Sequence, residues 1–224
     1  MTSQPPSWLH RALSHARFRS YVTAADGDVE TARRLYWWNV EVSAAFYGPL
    51  HCLEVALRNA LHERLRQAHG LDAWWETAPL THDGRHKVAH ARDNARKNLR
   101  REAPRSLVPD DVVAELTFGF WVGLLSRKND RSLWVPVLHQ AFSGYSGRRD
   151  ALHKDFLSVV LFRNRVMHYE PIHHRDLPED HLTVYRLLEY IGPELAREAR
   201  VLDRVPAVLS RRLDVCAGTH ASSF

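Results

Sequence analysis

Residues 50–68 read LHCLEVALRNALHERLRQA, and this stretch decides the fold class. Its apolar positions are Leu50, Leu53, Ala56, Leu57, Ala60, Leu61 and Leu65, a spacing of three and four that returns to one face every 3.6 residues. Gly70 stands just past the last turn, where a glycine closes a helix. Upstream, Gly48-Pro49 marks a break, or Pro49 occupies the first turn of the following helix. Before it, Val29 to Tyr47 consists of good helix formers with aromatics at Tyr36, Trp37, Trp38 and Phe46.

The same period continues in both directions. Trp8 to Tyr21 forms a first helix, and Asp26-Gly27-Asp28 is a turn able to cap the next. Trp74 to Thr81 reads as a loop carrying two tryptophans, followed by a basic helix from about 83 to 102. Pro104 and Pro109 bracket a linker, with Asp110 and Asp111 as N-cap candidates for an apolar helix over 111–125. Arg131 to Phe142 is a short helix, and another runs from Arg148 to His168. A last helical region covers 180–213, broken at Gly192-Pro193 and Pro206, and the small polar tail from about 217 frays. No stretch alternates apolar and polar residues between turn signals, so the expected class is all-α. At 224 residues the chain suits one domain over 1–224, although two tightly packed halves also fit.

Composition narrows the function classes. The chain is 45% hydrophobic and 25% charged, as soluble globular proteins are. It has no run of 18 apolar residues, and Met1 to Pro6 is polar without a signal-peptide core, so a cytoplasmic protein with no membrane span is expected. Two cysteines, Cys52 and Cys216, with no CxxC, suit a reducing compartment. The net charge is +5, but residues 85–105 alone hold eight basic residues against two acidic ones. Arg92, Arg96 and Arg100 follow an i, i+4 spacing and form one stripe on a helix. Together with Arg85, Lys87, Lys97 and Arg101, the stripe is either a solvated surface or a track for a nucleic-acid backbone.

The strongest chemical signal lies in residues 161–171, Leu-Phe-Arg-Asn-Arg-Val-Met-His-Tyr-Glu-Pro. Arg163 supplies a permanent planar cation suited to phosphate, and His168 is the residue type that ordinarily exchanges a proton near neutral pH. Asn164 and His168 share a helix face. Arg163 and His168 are five residues apart and about 140° around an ideal helix. Three arrangements bring them together: the arginine arm wraps round, the last turn loosens before Pro171, or a second copy completes the site. A histidine at the negative end of a helix dipole suits a general acid or a cation beside a phosphorane-like transition state. RNA brings its own nucleophile, the 2′-hydroxyl, so such a centre needs no metal and leaves a 2′,3′-cyclic phosphate and a 5′-hydroxyl.

Each signal has a plainer reading. Arg163 pairs with Asp155, Glu170 or another carboxylate while His168 caps its helix. His168, Glu170, His173, His174 and Asp176 suggest a metal, but Pro171 interrupts the span and the spacing does not fit a zinc helix, so no metal or cofactor is expected. Glu54, Arg58 and Asn59 are polar positions on the 50–68 helix. Glu54 and Arg58 form an intrahelical ion pair, or the three line a groove. Trp74 and Trp75 belong to the core, or stack on unpaired bases.

Taken together, several segments resemble an Abi-like (abortive infection) protein of the HEPN superfamily. They are Trp38-Asn39, Phe46 to Leu50, Leu53 to Asn59, Leu116 to Trp121, and Arg163-Asn164 through His168 to Ile172. Arg163, Asn164 and His168 match the family motif of an arginine, a polar residue and a histidine four to six residues on. The resemblance implies a HEPN-like helical bundle with additional N-terminal helices and a metal-independent endoribonuclease centre of Arg163, Asn164 and His168 at a homodimer interface. It further implies a role in phage defence or as a toxin, held by an antitoxin of protein or small RNA. Glu54, Arg58 and Asn59 match a second family motif. In the toxins paired with a small nucleotidyltransferase, tyrosine stands two residues after the histidine. Here Tyr169 follows directly and Glu170 takes that place. A non-catalytic RNA-binding or RNA-sensing module is the alternative function.

Overall fold

A computed structural model describes residues 7–102 and 105–223. The polar Met1–Pro6 segment, the linker residue Pro104, the Arg101 side chain of the basic stripe and the terminal Phe224 lie outside the described residues. The chain is all-α, with no strand among the described residues. The helices are α1 (Ser7–Leu13), α2 (His15–Ala24), α3 (Val29–His69), α4 (His82–Glu102), α5 (Pro109–Glu115), α6 (Phe118–Leu124), α7 (Arg149–Met167), α8 (Leu177–Ile191), α9 (Pro193–Leu202), α10 (Val205–Ser210) and α11 (Arg212–Ala217). None of these is long and apolar enough to cross a membrane.

The expected break at Gly48-Pro49 does not occur: α3 runs 41 residues straight through Pro49. Proline inside a helix forfeits one hydrogen bond and costs about 3 kcal/mol or more. Two features offset that. Gly48 has no Cβ for the proline ring to strike. Phe46, Leu50 and Leu53, around the proline, are fully buried at roughly 1.5–3 kcal/mol each. At the far end, Gly70 closes α3 with φ +65° as its position foretells.

Other boundaries move for local reasons. The first helix divides at Ser14, whose φ of 60° interrupts the ladder and whose hydroxyl accepts from the Arg17 amide to start α2. The Asp26-Gly27-Asp28 turn does cap α3, through Asp28 Oδ2 and the Thr31 amide at 3.1 Å. The helix expected over 111–125 is two, because Thr117 leaves the helix and caps α6 through the Phe120 amide. Asp110 and Asp111 sit inside the first turn of α5 and Val108 takes the cap position. Asp111 instead reaches back to the Val108 amide and to Arg105, whose guanidinium holds its carboxyl down at about 2. In place of a short helix over 131–142 stand tight turns: Arg127–Asn129, a π turn at Asp130–Trp134, and Leu138–Ala141.

The backbone groups into two units. The first comprises Met1–Leu50, Phe162–Leu182 and Ala199–Phe224. Phe46 and Phe162 meet edge to face at 4.8 Å, and the Trp38 indole donates to the Val208 carbonyl while Arg212 lies over its ring. Buried Glu41 accepts from Arg211 at 2.8 Å, which satisfies its charge away from water. The second unit comprises His51–Leu161 and Thr183–Glu198. Trp74 and Trp121 pack together there, and the Trp74 indole donates to His62. Arg149 ties Asp130 and the Leu125 carbonyl at 2.8 and 2.7 Å.

Candidate active site

The carboxyl end of α7 carries Arg163, Asn164 and His168, all in the first unit. Arg163 and Asn164 are half-buried and His168 is exposed. The last turn does not loosen: the His168 amide still donates to the Asn164 carbonyl at 2.9 Å. The helical register therefore persists to His168, and Arg163 and His168 remain about 140° apart. Of the three arrangements open to the sequence, the unwound terminus is removed.

Beyond His168 the helix ends in a two-bond cap. The Tyr169 amide donates to the Val166 carbonyl at 3.1 Å and the Glu170 amide to the Arg165 carbonyl at 2.9 Å. The position between them ordinarily belongs to glycine, yet Tyr169 occupies it with φ 57°. Arg17 of α2 holds the Tyr169 carbonyl at 2.9 Å, and Tyr169 is 79% exposed. Arg165 grips the loop that follows, through the Pro171 carbonyl at 2.8 Å and Glu170 at 3.1 Å. Glu170 meets Arg165, and Asp155 meets Arg186 at 3.4 Å.

Asn39 is a positioning residue that the sequence left without a role. It is buried in α3, and its Oδ1 accepts the amides of Ile172 and His173 at 2.8 and 3.0 Å. The only hint was its place beside Trp38 among the quoted segments. His173 is itself buried and lies 4.7 Å from the Tyr21 ring. Burial, with His174 and Arg212 nearby, pushes its pKa down to about 4. His174 is shifted down too, by burial and then by Arg165 and Arg175. Among the described residues no three His, Cys, Asp or Glu side chains gather as metal ligands, His168, Glu170, His173, His174 and Asp176 included.

The remaining candidate residues belong to the second unit. α4 is the basic helix, with Val88, Ala91 and Ala95 buried on one face. On its other faces Lys87 pairs with Asp83 at 2.8 Å, Arg92 with Glu76 at 3.6 Å and Arg96 with Asp93 at 3.4 Å. Arg85 donates to the Leu80 carbonyl and anchors the start of the helix, while Lys97 and Arg100 face solvent. Exposed pairs of this kind are weak and are screened by salt. Glu54 and Arg58 are half-buried on α3 and Asn59 is exposed. Trp74 and Trp75 are not stacking platforms: a tight turn at Trp74–Glu76 tucks both rings into the core, at 0% and 6% exposure. No family model, no curated protein and no solved structure matches the chain.

Proposed function

We propose that the chain is a metal-independent endoribonuclease of the HEPN type, acting as a homodimer in phage defence or as a toxin. The observation that carries this reading is the intact end of α7, which presents Arg163, Asn164 and His168 on a helix that stays regular through the histidine. The 140° separation favours a site completed by a second copy. By helical spacing Asn164 and His168 share one face of α7, which a second copy could meet.

In the proposed reaction the 2′-hydroxyl gives up its proton to His168 or solvent, its oxygen attacks the adjacent phosphorus, and the P–O5′ bond breaks. Arg163 neutralises charge on the phosphoryl oxygens, His168 transfers the proton that the departing 5′-oxygen needs, and Asn164 orients the histidine or the phosphate. The products are a 2′,3′-cyclic phosphate and a 5′-hydroxyl, with no water consumed. The cations of α4 bind the RNA backbone, and an antitoxin, protein or small RNA, keeps the nuclease inactive.

The test is purified protein on mixed cellular RNA with EDTA present and product ends analysed. Arg163→Ala and His168→Ala each lower cleavage by at least about a hundredfold and relieve growth arrest, with an unchanged circular dichroism spectrum. Undiminished cleavage by His168→Ala, or cleavage that EDTA stops, overturns the mechanism. Salt-dependent RNA binding that survives His168→Ala and yields no cyclic phosphate establishes the non-catalytic module instead.

A further inference from the structure

Within the first unit lies a cavity of about 690 Å³, lined in part by Met167 and Tyr169, the chain neighbours of His168. It is walled by α2, α3 and the end of α7, and four tyrosines line it: Tyr21, Tyr36, Tyr47 and Tyr169. Tyr21 is buried and packs edge to face on Tyr36 at 5.3 Å, which makes the inner wall rigid. Tyr47 and Tyr169 are the open side of the lining, 57% and 79% exposed as residues. The volume lies within the roughly 300–1,000 Å³ range of small-ligand sites.

The lining selects a ligand class. Among the described residues no carboxylate lines the cavity and Arg17 is the one charged side chain there, so an anionic group is favoured over a cation. The four tyrosines, interleaved with Val40, Ala44, Val166 and Met167, offer apolar faces for a flat ring and hydroxyls for its polar edge. A planar heterocycle joined to a phosphate meets both requirements. Tyr169 adds an independent sign. A solvent-facing aromatic occupies a left-handed position where glycine is unstrained, and its carbonyl is fixed by Arg17. Strain of this kind at an exposed side chain points to a job for the side chain.

We infer that this cavity takes an unpaired nucleobase of RNA next to the scissile phosphate, stacked on Tyr169 and Tyr47, with Arg17 toward the flanking phosphate. The inference rests on the RNA reading of the α7 motif and adds to it a base-binding subsite. Substrate is therefore single-stranded at that nucleotide, since a paired base has no free face to offer.

The probe is a set of fluorescently labelled single-stranded RNA oligonucleotides, each with one abasic position, titrated against the full chain. Tyr47→Ala and Tyr169→Ala each weaken binding of the intact oligonucleotide by about ten- to a hundredfold, and Tyr169→Trp restores it. One abasic position weakens binding to the native chain by a similar factor and abolishes the difference between it and the alanine variants. Both residues are largely solvent-exposed, and circular dichroism verifies that the variants fold. Unchanged affinity in both alanine variants, a loss that no abasic position cancels, or no binding of single-stranded RNA overturns the inference. So does a shift in oligomeric state in place of a shift in RNA affinity. Tyrosine-dependent binding without cleavage leaves the subsite standing and removes the nuclease. Cleavage that needs Arg163 and His168 but neither tyrosine leaves the nuclease and removes the subsite.

Discussion

Replacing Tyr169 by glycine should stabilise the protein relative to Tyr169→Ala, and the size follows from the cap of α7. Both variants lose the same ring, so whatever the ring buries cancels between them. Alanine keeps a Cβ at φ 57°, where an L-residue pays about 1–2 kcal/mol. Glycine removes that cost but has more unfolded-state freedom to lose, about 0.5–1 kcal/mol. The difference favours glycine by about 0.5–1 kcal/mol. The amide bonds to Val166 and Arg165 and the Arg17 contact all use backbone atoms and survive in both. For a chain of this length that difference raises the midpoint of thermal unfolding by about 1–4 °C. Urea titration of the two variants, followed by circular dichroism at equal slope, measures it. A glycine variant no more stable than the alanine variant refutes the claim that Tyr169 is strained. If strain is held at Tyr169 for the sake of its ring, the more stable glycine variant binds single-stranded RNA no better than the alanine variant.

The buried imidazole of His173 makes stability depend on acid. Its pKa is about 4 in the fold and about 6.5 unfolded, so the unfolded chain binds the proton first as pH falls. Its contribution is complete above pH 6.5 and is lost between there and pH 4, at most about 3 kcal/mol. His62, His153 and His174 are shifted the same way by burial, so His173→Phe should flatten part of that slope in urea titrations at pH 7, 5.5 and 4.5. An unaltered slope counts against a neutral buried His173. Asn39→Ala strands the amides of Ile172 and His173 in the core, at roughly 1–3 kcal/mol each. A loss of about 2–6 kcal/mol in urea titration is expected, and a loss below about 1 kcal/mol would mean that the loop after α7 finds other partners.

The class of the fold and the place of the motif were legible in the sequence because they depend on local rules. The 3.6-residue period over 50–68, the Gly70 cap, the Asp28 cap and the break at Gly192-Pro193 appear in the structure, while the break expected at Pro206 falls at Asp203-Arg204, with Pro206 in the first turn of α10. Each is decided by residues within a turn or two. The 140° between Arg163 and His168 is likewise a property of spacing alone. What local rules could not weigh was packing. Pro49 stays helical because buried Phe46, Leu50 and Leu53 outweigh a lost hydrogen bond. Trp74 and Trp75 are core residues because a tight turn folds them inward. Asn39 holds the loop after α7 across more than a hundred residues of chain, and Tyr169 joins Tyr21, Tyr36 and Tyr47, far away in sequence, around one cavity. Sequence by itself determined helices and a candidate pair of reacting side chains. Only the tertiary structure decided what surrounds them, because burial and long-range hydrogen bonds depend on residues that no local period brings together.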